Sequence, residues 1–138
     1  MKKILITGGS GTIGSSFIKN YYGDYEFYSY SRNEKMQVSL KRSFNDVEVI
    51  LGSVEHKLSL MKTISKIKPD VVIHTAALKH VDTGEIAPIQ MVKSNIVGSL
   101  NIIECSYEFN VPVTIGVSTD KACEPYNNYG YSKLLMEK

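Results

Sequence analysis

A short apolar run, Lys3-Ile-Leu-Ile-Thr7, breaks into Thr7-Gly-Gly-Ser-Gly-Thr-Ile-Gly14, after which Ile13, Phe17, Ile18 and Tyr21 recur at helical spacing. An uninterrupted apolar run reads as a strand buried on both faces, and such strands belong to parallel sheets. The glycines satisfy both G-x-G-x-x-G, on Gly9, Gly11 and Gly14, and G-x-x-G-x-x-G, on Gly8, Gly11 and Gly14. A strand, a glycine turn and a helix in that order allow a tight turn and a close approach of backbone to a pyrophosphate, with helix N–H groups facing the phosphates. The competing reading is a turn that only shapes the backbone. Position between strand and helix favours a dinucleotide site, with Gly8, Gly11, Thr12, Ile13 and Gly14 at its phosphates.

The alternation continues along the chain. Residues 25–31 and 47–51 read as second and third strands, with a short helix at 34–44 between them. A second helix at 57–67 carries an apolar stripe of Leu58, Met61, Ile64 and Ile67, stopped by Lys68-Pro69-Asp70. Val71-Val72-Ile73-His74 is a fourth buried strand, and His74 reads as a satisfied strand-end histidine. Residues 78–88 form a polar loop, 89–109 the longest helix with Val92, Ile96, Leu100 and Ile103 on one face, and 111–117 the fifth strand. Strands alternating with helices give an α/β, right-handed, doubly wound parallel sheet in the order 3-2-1-4-5.

In such sheets ligands sit beyond the carboxyl ends of the strands. At the second strand's end, an acid would select NAD. Here stand Ser31-Arg32-Asn33-Glu34-Lys35, and Ser31, Arg32 and Lys35 suit a ribose 2'-phosphate, which favours NADP over NAD. Ser53 and Val54 border the adenine, and the small Ala76 and Ala77 let a dinucleotide pass over the fourth strand. Asn95, near the apolar stripe of its helix, needs partners if buried and reads as a tie to the site. The fifth strand leads into Ser118-Thr119-Asp120-Lys121, and Tyr129 and Lys133 follow four apart on one helix face. A lone Tyr-x-x-x-Lys pair arises by chance; its place after a buried strand gives it weight.

With 43% hydrophobic and 22% charged residues, 138 residues suffice for one domain. A net charge of +2, with scattered lysines, argues against nucleic acid as partner. Cys105 and Cys123 have no metal-ligand spacing, so no metal is expected, and both read as reduced thiols of a cytoplasmic protein. The amino-terminal apolar run, cut by Gly8, is too short for a signal segment or a membrane span.

Taken together, Gly8 to Gly14, Ala76-Ala77-Leu78-Lys79, Lys93-Ser94-Asn95, Ser118-Thr-Asp-Lys121 and Tyr129-x-x-x-Lys133 resemble the extended short-chain dehydrogenase/reductases with a Rossmann fold. Within them the chain is similar to the UDP-N-acetylglucosamine 4,6-dehydratases of polysaccharide and flagellin-sugar biosynthesis. Three departures stand out: Gly52-Ser-Val-Glu-His56 where the family has Gly-Asp-Val-Arg-Asp, Asp82 where Pro is usual, and Met36 where Lys is common. A fourth is length, since no substrate lobe follows the Tyr129 helix, and the chain looks like the amino-terminal part of a longer enzyme.

The resemblance implies a lyase that holds NADP tightly and acts on a nucleotide sugar. Tyr129 and Lys133 would serve the C4 oxidation, Lys121 would take the C5 proton and Asp120 would protonate the leaving C6 hydroxyl. Thr119 joins this group, Lys79, Asn95, Tyr129 and Lys133 also border the cofactor, and Lys79 and Thr83 would meet the substrate. A homo-oligomer is implied for the full-length form. Two alternatives stand beside it: a nucleotide-sugar epimerase, which needs Tyr129 and Lys133 but not Asp120 and Lys121, and a non-catalytic NADP-binding fragment.

Overall fold

A computed structural model describes all 138 residues. Five parallel strands, β1 (Lys3–Thr7), β2 (Glu26–Ser31), β3 (Glu48–Leu51), β4 (Val71–His74) and β5 (Val113–Gly116), form one sheet in the order β3-β2-β1-β4-β5, as the alternation predicts. Pairing is in register from Ile4 opposite Phe27 and Val71 to His74 opposite Gly116. Each strand therefore ends at one edge, where the following turns gather. The order in which strands are added reverses between β1 and β4, and the cleft opens there.

Helices cover both faces. α1 (Thr12–Asn20) and α2 (Glu34–Ser43) lie on one, where Ile4, Ile6, Ile18, Phe27, Leu40, Val47 and Ile73 form a core cluster. On the other, α3 (Lys57–Ile67) and α6 (Gly98–Glu108) close over Leu5, Tyr28, Tyr30 and Val72 with Leu60, Ile64, Ile67, Ile102 and Cys105. At the start of α2, the Asn33 side chain accepts from the Met36 N–H; at the end of α3, Lys68 adopts a left-handed conformation with φ of 52°.

Three expectations change. The buried face of α3 is Leu60, Ile64 and Ile67; Leu58, placed on the inward stripe by spacing, is 73% exposed. The loop at 78–88 contains a short helix, α4 (Val81–Ile86), and Pro88 opens the next, α5 (Pro88–Met91). Proline at a first helical position loses no needed N–H, and Gly84 lets Met91 and the Tyr129 backbone come close, since a Cβ there would stand 2.5 Å from Met91 Cε. The long helix is interrupted by a π-helical turn, Val92–Val97. Its apolar stripe faces outward: Val92, Leu100 and Ile103 are exposed, while Met91, Asn95, Gly98, Asn101, Ile102 and Cys105 are buried. The two buried asparagines of that inner face have dedicated partners, such as Asn101 Nδ2 donating to Val54 O at 2.8 Å.

Candidate active site

The glycine turn brings β1 to α1 with little room to spare. Gly8 has φ of +73°, and a Cβ there would stand 2.9 Å from Ala76 N, so the turn lies against the end of β4. A Cβ on Gly14 would stand 2.6 Å from Gly9 Cα, which seats the first turn of α1 on the glycines. Gly11 caps α1 without a side chain, and the first helical bond runs from Ser15 N to Gly11 O at 2.9 Å. The N–H groups of Thr12, Ile13 and Gly14 precede that bond, and no acidic residue occupies the first turn. This is a donor set for phosphate at a nine-residue helix.

A cleft opens over this turn. Its walls include Gly8 and Gly11 from β1's turn, Ser31 and Arg32 from β2, Val54 after β3, and Ala76, Ala77 and Lys79 after β4. Eight predicted cofactor residues thus share one cavity with Ser10, Tyr30 and Ser94. Ser10 Oγ donates to Ser31 Oγ at 3.0 Å, tying the glycine turn to β2. Lys35, on the first turn of α2, is exposed and lies outside the cleft wall, as does Ser53, whose hydroxyl accepts from the Glu55 N–H at 3.3 Å. The fit to a dinucleotide rests on this union of uncapped helix N–H groups, a glycine floor and a cation at the far rim.

The remaining predicted residues cluster after β5. Asp120–Ala122 form one 3-10 turn capped by Thr119, whose hydroxyl accepts from Lys121 N at 3.4 Å. Asp120 is open to solvent, with Lys121 Nζ 3.8 Å from its Oδ1. Next comes α7 (Asn128–Glu137), where Asn127 Oδ1 accepts from Gly130 N at 2.8 Å. A Cβ on Gly130 would stand 2.5 Å from the Lys121 carbonyl, so glycine there lets α7 lie against the Asp120 turn.

Tyr129 and Lys133 are both buried on α7. Lys133 Nζ donates to Val117 O at 2.7 Å, and burial, then the charge of Lys79, lowers its pKa. Lys79 thus belongs to the cleft wall and acts electrostatically on the Tyr129 helix. Thr83 sits exposed on α4, whose Gly84 carbonyl accepts from Asn128 Nδ2 at 3.0 Å.

Asn95 has its side-chain amide fully engaged. Its Oδ1 accepts from Leu78 N at 2.8 Å, and its Nδ2 donates to Leu78 O at 2.9 Å and Ser132 Oγ at 3.0 Å. It therefore ties the cleft loop to α7, and Ser94, not Asn95, lines the cleft. His74 completes a second tie. Ser99 Oγ gives its proton to Asn95 O at 2.6 Å, so it accepts from His74 Nε2 at 3.0 Å, and Nδ1 accepts from Thr7 Oγ1 at 2.7 Å. Burial, then Lys133, lowers the His74 pKa to about 4. The imidazole is a neutral link from β1 through β4 to the π turn, as a satisfied strand-end histidine should be.

Sequence reasoning missed one contact at the cleft. Glu55 Oε1 lies 3.7 Å from Arg32 Nη1. Its only sequence signal is the acid standing where the resembled family has arginine. The largest groove, about 550 Å³, is elsewhere, between α6, β5 and α7, and includes Ser106, whose buried hydroxyl has no partner.

Comparison with known proteins fits this geometry. The polysaccharide biosynthesis protein family matches residues 4–138. The chain belongs to this family. Among its relatives, the inverting UDP-N-acetylglucosamine 4,6-dehydratase of Campylobacter jejuni (strain 81-176) is 39% identical over 142 residues, covering 99% of this chain and 42% of the relative. The UDP-glucose 4-epimerase of Rickettsia massiliae is 33% identical over 145 residues, covering 99% and 42%. Among solved structures, the Bordetella bronchiseptica enzyme WbmG, in complex with NAD and UDP, superposes with a TM-score of 0.85 at 25% identity, covering 97% of this chain and 47% of that one. The chain thus spans less than half the length of these curated relatives. No helix is long and apolar enough to cross a membrane.

Proposed function

We propose that this chain forms the NAD(P)-binding, proton-transfer domain, residues 1–138, of a cytoplasmic nucleotide-sugar 4,6-dehydratase whose substrate is UDP-N-acetylglucosamine. The observation that carries the reading is the pairing, after β5, of an exposed Asp120–Lys121 turn with the buried Tyr129 and Lys133 of α7, clamped together at Gly130. The identity to a 4,6-dehydratase over 99% of the chain supports it.

Loss of water across C5 and C6 of a hexose becomes feasible once C4 is a ketone, because the ketone acidifies the C5 proton. A nicotinamide cofactor, when bound, would supply the redox chemistry at C4 and C6. Gly8, Gly11 and the N–H groups of Thr12, Ile13 and Gly14 would hold its pyrophosphate, and Ser31, Arg32 and Lys35 a ribose 2'-phosphate, which favours NADP. Val54, Ala76 and Ala77 would line its path, with Ser53 bracing the turn beside Val54. Tyr129 accepts the C4 hydroxyl proton, with Lys133 one turn further along the same helix. Lys121 takes the proton from C5, and Asp120 delivers one to the departing C6 hydroxyl. Thr119 holds the turn bearing both. Lys79 and Thr83, at the cleft mouth and on α4, would meet the nucleotide sugar, and Asn95 fixes the loop carrying Lys79.

The second reading, a nucleotide-sugar epimerase, is favoured by the identity to the Rickettsia enzyme. It needs Tyr129 and Lys133 but leaves Asp120 and Lys121 idle. The intact protein incubated with UDP-N-acetylglucosamine separates the two by mass: loss of water supports the dehydratase, an isomer of unchanged mass the epimerase. Asp120→Asn should cut water loss at least a hundredfold; full dehydration by that variant would sink the assignment. The outward stripe of Val92, Leu100 and Ile103 suits packing against a second copy of the full-length protein. Sedimentation showing only monomer at micromolar concentration would remove that part.

A further inference from the structure

The second strand ends without an acid, yet the fold delivers one to the same place. Arg32 closes β2 at the rim of the cleft, half exposed, and Glu55 from the turn after β3 reaches it, with Oε1 3.7 Å from Nη1. Glu55 is the more enclosed partner, its side chain 18% exposed against 50% for Arg32. Its carboxylate is also held from a third direction, because Gln90 Nε2 on α5 donates to the same Oε1 at 2.7 Å. The backbone beneath is braced: Ser53 Oγ accepts from the Glu55 N–H, and the buried Asn101 donates to the Val54 and Glu55 carbonyls at 2.8 and 3.3 Å. This carboxylate does not drift on a free loop. It is set beside the only guanidinium lining the cleft.

We infer that Glu55 sets the choice between NAD and its 2'-phosphorylated form, by engaging Arg32 and opposing a second anion there. The inference rests on the reading of the cleft as a dinucleotide site and is independent of the dehydration chemistry. A carboxylate and a phosphate ask for the same planar fork of arginine N–H donors. A 2'-phosphate arriving on Arg32 has to share it with Glu55, well inside a Debye length, where two anions repel. A ribose 2'-hydroxyl meets no such penalty, because a hydroxyl can donate to a carboxylate. Glu55 therefore restrains the preference for NADP that Arg32 and Lys35 would otherwise confer. The preference for NADP is thereby narrowed and not reversed.

The test is calorimetric titration of the intact protein with NADP+ and with NAD+, in the wild type, Glu55→Gln, Glu55→Arg and Arg32→Ala. Glu55→Gln keeps size and hydrogen-bonding capacity, and the ratio of NADP+ to NAD+ affinity should rise roughly tenfold at low salt and less at high salt. Glu55→Arg should move the ratio further the same way, and Arg32→Ala should lower it below wild type. Melting curves identify any variant that fails to fold, and the Glu55 pair gives two independent chances to read the effect. Both nucleotides bound by both folded Glu55 variants, with a ratio within twofold of wild type, overturns the role of Glu55 while leaving the dinucleotide site intact. Failure of the wild type to bind either nucleotide overturns the site itself.

Discussion

The centre of this sheet and its β5 end are held by different forces. Around β1 and β2 the side chains are enclosed by α1, α2 and α3, and Leu5, Ile6, Ile18, Leu60, Ile64 and Val72 have no exposed surface. At the β5 end every residue of the strand is exposed, and its neighbour α7 is secured by polar ties: Asn127 to Gly130, Asn128 to Gly84 and Glu85, Asn95 to Ser132, and Lys133 to Val117. Apolar burial is non-directional and fixes a scaffold; hydrogen bonds are directional and fix side chains. The half proposed to hold the cofactor is therefore a packed cradle, and the half proposed to move protons is a set of groups aimed by partners with little core beneath them. The two halves should fail differently.

The cradle should fail hardest. Gly14→Val places a side chain where a Cβ alone meets Gly9 Cα at 2.6 Å and Gly8 O at 2.8 Å, and backbone cannot yield as a flexible side chain does. We expect a loss of about 3–5 kcal/mol in denaturant unfolding, or no folded protein, together with loss of nucleotide binding. A folded variant with wild-type midpoint and wild-type affinity would show that the glycine turn is not the tight seat described.

Next is the link between halves. Unfolded, His74 takes up a proton near its ordinary value of 6.5; folded, it resists protonation down to about 4 because it is buried and near Lys133. Its contribution to stability is thus fully present above pH 6.5 and drains away as pH falls from 6.5 towards 4. The contribution at stake is about 3 kcal/mol. Unfolding free energy measured across that window should fall steeply in the wild type. In His74→Gln this component should be absent, at the cost of lower stability at pH 7 from the broken Thr7 and Ser99 contacts. Equal slopes for the two proteins would mean that folding leaves the His74 pKa where it stands in the unfolded chain.

The same contrast explains what the sequence made legible. Contiguous apolar runs and glycine punctuation reveal buried parallel strands, so β1, β4, α3 and the strand order follow from pattern alone. Residues at the cleft were found because βα turns gather at one sheet edge, which is why Gly8, Arg32 and Ala76 meet. Periodicity tells which side chains share a face, but not which face meets the sheet. Hence Leu58 on α3 and Val92, Leu100 and Ile103 further on were turned inward by pattern and outward by the fold. The inner face of the long helix is rich in Asn95, Ser99 and Asn101, whose burial depends on partners distant in sequence. The Arg32–Glu55 pair was hidden for the same reason: it joins the ends of two strands that only the sheet makes neighbours.

The mildest expected effect separates the two halves on a single ladder rung. Ile73 on β4 and Ile115 on β5 are register partners and so point to the same face of the sheet, yet Ile73 is 8% exposed and Ile115 47%. Ile73 belongs to the cluster with Ile4, Ile6 and Ile18, so truncation to alanine opens a cavity in packed surroundings and should cost about 2–5 kcal/mol. Ile115→Ala removes the same atoms from a site where much of the side chain already meets water. Little cavity forms, and the loss should be about 1 kcal/mol or less. Chemical denaturation of the two variants side by side reads the difference directly, because the chemistry of the substitution is identical. Equal destabilisation would mean that β5 is as well packed as the cradle and that hydrogen bonds are not its main restraint. A large gap, with Ile115→Ala retaining the wild-type unfolding slope, would show that the β5–α7 half keeps its geometry through its polar ties.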